Sequence, residues 1–599
     1  MNNMGIPKLT SFIRNFFSGW KEERLEGHLV IDGCSLCYHL YTFDWIHGGQ
    51  YKEYHDIISE YFRALKSSAI ESIVVFDGID YTGEKSETIQ KRYDSKNEKV
   101  HNQFTDTSGS GVCLPEVTSQ VDSDGVLPLL ASVVFYETLT ELGVKCIRVD
   151  GEADKDIAQL ANFYSCPVLS NDSDFFMFSL KGGFVHMDRF NWRAQPIIAE
   201  VYHVTALMDQ FNLAHENLRF IIPAILGNDF LPAVNVGSYF RHIKQVTSLA
   251  VGKHHPVLPV VVYASHYDNL EDFITRLESI DNELLYLDES GKEVLRENCI
   301  KAEEMYDIQK VYSLEDLHGR TELLIKGKYT IPGWLLDQVR CCKVTDELLA
   351  AIGFSSGYML PITMGSPQKV NPIHISRPLR RAAYSLLELG SVIEAVMEGL
   401  NTEVILKVRA DVITCEGEIV TREVLPMLHL SKKKKLFYSF LHCNAALTEL
   451  LDEKWRLVVA SVIFWAKRAD IPLLMIKVLI LTFVLCSRIN DLLKFYQSVK
   501  ISRAFLKSPR WWEGLHSFIQ WQCAYKDASN LIHLLQLPFQ FLSPAYLFDG
   551  EVAMYFLSTN SISLVVSKLP TSDRQLYNQL LTTVLSHKSV LLAKSSCEE

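Results

Sequence analysis

The chain has 599 residues, 48% of them hydrophobic and 22% charged, with a formal net charge of −12. Those values exclude a fully disordered or fibrous protein, and the length predicts more than one domain. The acidic balance excludes a surface coated with basic residues, so contact with a nucleic acid has to be confined to local positive patches.

Thirteen cysteines are scattered without a regular framework. No secretory signal precedes the first periodic segment, so mostly unpaired thiols in a reducing, intracellular compartment are expected. The single CxxC, Cys34 to Cys37, has no second pair at zinc-finger spacing, and packing on a helix is its expected role.

In chain order, the first 245 or so residues alternate short apolar strands with helical patterns. The clearest strands are HLVID (28–32), SIVVFD (72–77), VKCIRVD (144–150) and CPVLS (166–170). Between them, YHDIISEYFRALKSSA and LPLLASVVFYETLTELG carry apolar residues near the helical period. This alternation predicts an α/β fold with a mostly parallel sheet covered by helices. The interval His101 to Gly125, rich in Ser, Thr, Gly and Asp, reads as a long mobile loop.

Beyond residue 245 the strand signals thin out. ITRLESIDNELLYL (274–287), RRAAYSLLELGSVIEAVMEGL (380–400) and RLVVASVIFWAKRA (456–469) predict helices. Gly, Ser and Pro cluster between Gly353 and Pro372. The expected organisation is a core at 1–245, an α-rich middle region at 246–370 and an α-helical C-terminal region at 371–599. The apolar run IPLLMIKVLILTFVLC (471–486) is interrupted by Lys477 and falls short of the roughly 20 residues a membrane span needs, so a buried core helix is expected and no membrane partner.

Acids stand where the strands would leave the sheet. HLVIDG ends in Asp32, SIVVFDG in Asp77, RVDGEADKD supplies Glu152 and Asp154, SNDSD supplies Asp172 and Asp174, and AILGNDFLP supplies Asp229. Each alone fits an Asx-turn or a helix cap. Together they fit something else, because the carboxyl ends of parallel strands share one edge, where ligands bind. Carboxylates gathered there repel one another and raise one another's pKa unless cations neutralise them. A set without His or Cys suits Mg²⁺ or Mn²⁺ rather than zinc, and two such ions about 4 Å apart can clamp both oxygens of a phosphodiester under hydrolysis.

The segments MGIPKLTSFI, VIDG, VVFDG, DGEADKDIAQLA, VLSNDSDFF and GNDFLP occur in this order. They resemble the flap-endonuclease, or XPG-type, superfamily of metal-dependent structure-specific nucleases. NFYSCPVLSNDSDF, HISRPLRRAAYSLL (374–387) and IQWQCAYKDASNLIHLLQLP (519–538) resemble the asteroid family within it, along nearly the whole chain. The resemblance implies that Asp32, Asp77, Glu152 and Asp154 hold one ion, and Asp172, Asp174 and Asp229 a second. Asp154 stands where the family usually has a glutamate, so its reach is shorter. Lys85 and Arg92, seven residues apart in GEKSETIQKRYD, resemble the family's basic pair at the scissile phosphate.

The chain also departs from the family's pattern. Three residues precede Met4 and Gly5, where the family usually begins Met-Gly; AVNVGSYFRHIK only loosely suggests the family's duplex-gripping helix-two-turn-helix; and the polar interval 101–125 stands in place of a basic arch. Single-stranded or overhanging DNA is thus the expected substrate, with nuclear DNA repair as the setting and repair proteins as partners of the helical C-terminal region. GIPKL and GNDFLP also resemble the Xrn-type exoribonucleases, which keeps an RNA nuclease open; a non-catalytic scaffold in repair or signalling, keeping the fold and using the helical C-terminal region for partners, is the other alternative. SKKKKLF (431–437) reads as a nuclear-import run, a phosphate patch or a solvated face.

Overall fold

A computed structural model describes the chain apart from residues 1–4, 44, 79–85, 105–125, 235, 250–255, 280–286, 320–323, 326–328, 354–356, 367–368, 399–402, 489–504, 506–507, 560–561 and 596–599. Two compact units are built from interleaved segments: Met1–His39, Glu60–Gln90 and Val144–Thr321 form the first; Leu40–Ser59, Lys91–Gly143 and Glu322–Glu599 form the second.

Among its described residues the first unit contains seven strands: β1 (Lys21–Arg24), β2 (Gly27–Asp32), β3 (Ile70–Phe76), β4 (Lys145–Arg148), β5 (Val168–Ser170), β6 (Phe184–His186) and β7 (Ile198–Val201). Five of them form one sheet in the order β4-β3-β2-β5-β6, every pair parallel. The four strands read from the sequence are β2 to β5, and all lie in this sheet. The apolar run Ile73–Phe76 is buried throughout, as a strand covered on both faces requires. The helix Ala153–Tyr164 turns Ile157, Ala158, Leu160 and Ala161 into the core and packs on β2, β3 and β5. Leu9, Phe12 and Ile13 of the first helix, Leu9–Phe16, join the same core. Beyond the sheet, the helices Ile221–Leu226, Val257–Ala264 and Glu289–Tyr306 pack on one another.

The second unit is mainly helical, centred on Pro509–Leu534, with Glu453–Arg468 and Leu473–Cys486 beside it. The run 471–486 is the buried helix expected of it, and among the described residues no helix is long and apolar enough to cross a membrane. One predicted helix is corrected. Residues 380–400 do not form a single helix: Arg377–Leu386 is helical, Glu388 and Gly390 adopt positive φ, and Ser391–Met397 is a strand between Tyr358–Met359 and Glu403–Arg409. The left-handed residues end the helix, and β-branched Val392 and Ile393 suit the pleat that follows. Of the interval 101–125, residues 101–104 end the helix Ser86–Phe104, and the rest lies outside the described residues.

The same strand buries a charge. Glu394, with no exposure, accepts from Arg380 Nε at 2.7 Å and Nη2 at 2.9 Å, and from the Tyr384 hydroxyl at 2.7 Å. Arg380 Nη1 also donates to Ser376 Oγ and Ile373 O at 3.0 Å and to Asp527 at 3.2 Å. Burial alone would raise the Glu394 carboxyl; the Arg380 charge and its hydrogen bonds overcome that and hold it below the usual glutamate range. Its contribution is therefore complete above the ordinary carboxylate range and lost as pH falls through the lowered value. Glu394→Gln leaves Arg380 buried with half its charge partners, and should cost about 3–5 kcal/mol. Urea unfolding at neutral pH checks the loss, and the variant should have a flatter acid limb than the wild type.

Candidate metal centre

Asp32 is the last residue of β2, and Ser170 is the last of the neighbouring β5. Asp32 Oδ1 accepts from Ser35 N at 3.0 Å, and Oδ2 accepts from the hydroxyls of Ser35 and Ser170, each at 2.6 Å. Asp77 follows the end of β3, and its Oδ1 accepts from Ala153 N at 2.9 Å. The first turn of Ala153–Tyr164 is thereby held to the strand end. Glu152 is the residue before that helix and Asp154 lies in its first turn, both half-buried.

Asp172 caps the short helix Ser173–Phe176, its Oδ1 accepting from Asp174 N at 2.9 Å, while its own N–H donates to Ser170 Oγ at 2.9 Å. Ser170 thus bridges Asp32 and the Asp172 backbone. Gly5 lies against this pair with φ +76°; a Cβ there would stand 2.3 Å from Asp172 Oδ1 and 2.4 Å from Asp174 Oδ1. Only glycine lets the chain approach both carboxylates so closely. Asp229 is half-buried, and its carbonyl accepts from Thr88 Oγ1 at 3.3 Å.

The charges of these groups act on one another. Burial pushes the Asp172 carboxyl well above the usual range, and Asp174, Asp229 and Asp32 add to the rise against the hydrogen bond from Asp174 N. Asp32 is raised by burial and then by Asp77, against the hydrogen bonds from Ser170 and Ser35. Asp32, Asp77, Asp172, Asp174 and Asp229 therefore form one mutually repelling set. Among the described residues no three His, Cys, Asp or Glu side chains, as they are placed, stand close enough together to hold a metal ion. The donors are all oxygen, densely negative and poorly hydrated, which fits a hard divalent cation.

Of the predicted basic pair, Lys85 lies outside the described residues, and Arg92 is a half-buried residue of Ser86–Phe104 within the second unit. The lysine run is occupied internally. Lys432 and Lys435 pair with Glu416, Lys434 with Glu449, and buried Lys433 donates to Pro426 O. Phosphate binding there would have to displace these partners. Ser35 and Ser170 were not singled out from the sequence. Ser35 had a signal, three residues after an aspartate at a helix start; Ser170 acts across the sheet and had none.

Because the folded state raises the Asp172 pKa, its charge costs stability above the raised value, and that cost disappears as pH falls through it. In EDTA at neutral pH, Asp172→Asn should therefore raise the thermal midpoint, since the amide oxygen still accepts from Asp174 N. Gly5→Ala should do the reverse, costing at least about 1–2 kcal/mol from the left-handed backbone alone with the clash in addition. Scanning calorimetry of both variants checks the two signs.

Residues 88–222 match the family described as XPG domain containing. Along the whole chain, the single-strand DNA endonuclease ASTE1 of Homo sapiens is 25% identical, over 98% of this chain and 90% of that one. The Danio rerio protein of the same name is 31% identical over 39% of this chain and 34% of its own. Protein asteroid of Drosophila melanogaster is 30% identical over 30% of this chain and 20% of its own. The motifs, the carboxylate edge and these relatives make the chain similar to the asteroid proteins along nearly its whole length, with an XPG-domain match over residues 88–222.

Proposed function

We propose that the protein is a divalent-metal-dependent nuclease that cleaves phosphodiesters in single-stranded or overhanging DNA, acting in the nucleus in the repair of double-strand breaks. One observation carries the reading. Acids far apart in sequence meet at the carboxyl edge of one parallel sheet, where burial and neighbouring carboxylates raise the pKa of Asp32 and Asp172. A fold that gathers buried negative charge in this way invites a cation. The full-length relative named a single-strand DNA endonuclease supports the substrate class.

Asp32, Asp77, Glu152 and Asp154 would hold one Mg²⁺ or Mn²⁺, and Asp172, Asp174 and Asp229 a second. Bound there, such ions lower the pKa of a water and neutralise charge developing on a phosphate. The chain supplies the positioning. Ser35 and Ser170 fix Asp32 Oδ2, and the Asp174 amide fixes Asp172 Oδ1. Hydrogen bonds of this kind orient ligand carboxylates before an ion arrives. Gly5 brings the N-terminal backbone onto the same pair, where Ser173 Oγ donates to Ile6 O at 3.2 Å. Lys85 and Arg92, on the resemblance of GEKSETIQKRYD, take the role of phosphate contacts. The helical C-terminal region, 371–599, is the proposed surface for repair partners.

The test is cleavage of end-labelled single strands, overhangs, flaps, duplex and RNA by the purified full chain with Mg²⁺, Mn²⁺ or EDTA. Single strands and overhangs should be cut with either ion and not in EDTA, and Asp172→Asn should lose the activity while remaining folded. A preference for RNA makes the protein a ribonuclease. No cleavage of any substrate by protein that binds the ion leaves a scaffold.

A further inference from the structure

Asp174 is held from a direction that the strand-end acids do not explain. Asn228 precedes Asp229 in the turn after Ile221–Leu226, and its Oδ1 accepts from both Phe230 N and Leu231 N at 2.8 Å. Those two bonds fix which end of the amide is oxygen. Its Nδ2 is consequently turned away from the turn, and it donates to the Tyr306 hydroxyl at 2.7 Å and to Asp174 Oδ2 at 3.3 Å. Asn228 Nδ2 thus links the Tyr306 hydroxyl to Asp174 Oδ2, and the hydroxyl is the acceptor that holds the amide in place.

Tyr306 is the last residue of Glu289–Tyr306 and has no exposed surface. Its ring lies 5.2 Å from that of Phe178 and 6.3 Å, nearly parallel, from that of Phe220. The hydroxyl is thus delivered by a rigid, packed ring from a helix more than a hundred residues beyond Asp174. Oδ2 lies against Asn228, while Oδ1 crowds the point beside Gly5 that Asp172 Oδ1 also crowds.

We propose that Tyr306, acting through Asn228, is a positioning residue for the candidate metal centre: its hydroxyl fixes the Asn228 amide, which holds Asp174 Oδ2 and leaves Oδ1 on the side of Asp172. The inference rests on the metal-dependent nuclease reading and extends it to residues outside the acidic motifs. Partners that orient a ligand in this way commonly govern metal affinity by 10- to 100-fold. A tyrosine that only filled the core would not affect it.

Tyr306→Phe keeps the ring and removes only the hydroxyl. Titration calorimetry with Mn²⁺ alone, on the full chain without nucleic acid, should show affinity weakened by about tenfold or more. The thermal midpoint in EDTA verifies that the variant is folded. Asn228→Ala should weaken Mn²⁺ binding in the same direction, and it decides the matter if Tyr306→Phe does not fold. A folded variant with lowered thermal midpoint and wild-type Mn²⁺ affinity would reduce Tyr306 to a packing residue and overturn the proposal. Failure of the wild type to bind Mn²⁺ would instead overturn the metal centre on which the proposal rests.

Discussion

Repulsion among carboxylates held at the end of a buried sheet is the constraint around which the first unit is organised. Parallel strands must be covered on both faces, and their ends point the same way, so acids that end β2, β3 and β5 have little room to move apart. Burying one apolar side chain contributes about 1.5–3 kcal/mol, and the strands bury several each: Val30 and Ile31 of β2, Ile73 to Phe76 of β3. That burial supplies enough stability to hold Asp172 and Asp32 where water would not leave them. The donors around them lessen the cost without cancelling it. Ser35, Ser170 and the Asp174 amide lower pKa values that burial and neighbouring charge still keep raised.

One cluster in the second unit handles buried charge in the opposite way. Arg380 meets Glu394 in a two-pronged pair and touches Asp527 as well, while Lys526 pairs with Glu347. There each acid has a cation near it, and the Glu394 carboxyl is held below its ordinary range rather than above. Two of the segments that resemble the asteroid family, around Arg380 and around Asp527, are joined by this cluster. The likeness over the C-terminal half therefore has a structural basis: paired charges fix how the strand Ser391–Met397, the helix Arg377–Leu386 and the long helix Pro509–Leu534 meet. A buried ion pair holds a fold in register; a set of like charges favours an ion of the opposite sign.

What could be read in advance follows from the range of each interaction. The four core strands were legible because fully buried parallel strands are short, continuous apolar runs, and each of these is followed closely by an acid. The convergence of Asp32, Asp77, Asp172, Asp174 and Asp229 followed from topology, without knowledge of any side-chain contact. Residues 391–397 were misread because alternating and helical apolar spacing overlap over seven residues, and Glu394 at a buried position disguised the strand. The partners of Lys432 to Lys435 lie 14 to 19 residues away or in other elements, so local charge could not reveal them. Tyr306 is an ordinary helix terminus in the sequence; only the fold brings it to Asn228, the residue whose amide reaches Asp174.

The account's central claim is that the carboxyl edge of the sheet is a divalent-cation site. Anomalous diffraction at the manganese edge, from crystals of the full chain grown with Mn²⁺, tests it most directly. The account predicts anomalous density bounded by the carboxylates of Asp32, Asp77, Asp172, Asp174 and Asp229, on the side of the sheet edge that Gly5 lines. Manganese bound elsewhere, with these carboxylates protonated or turned apart around an empty edge, would contradict it.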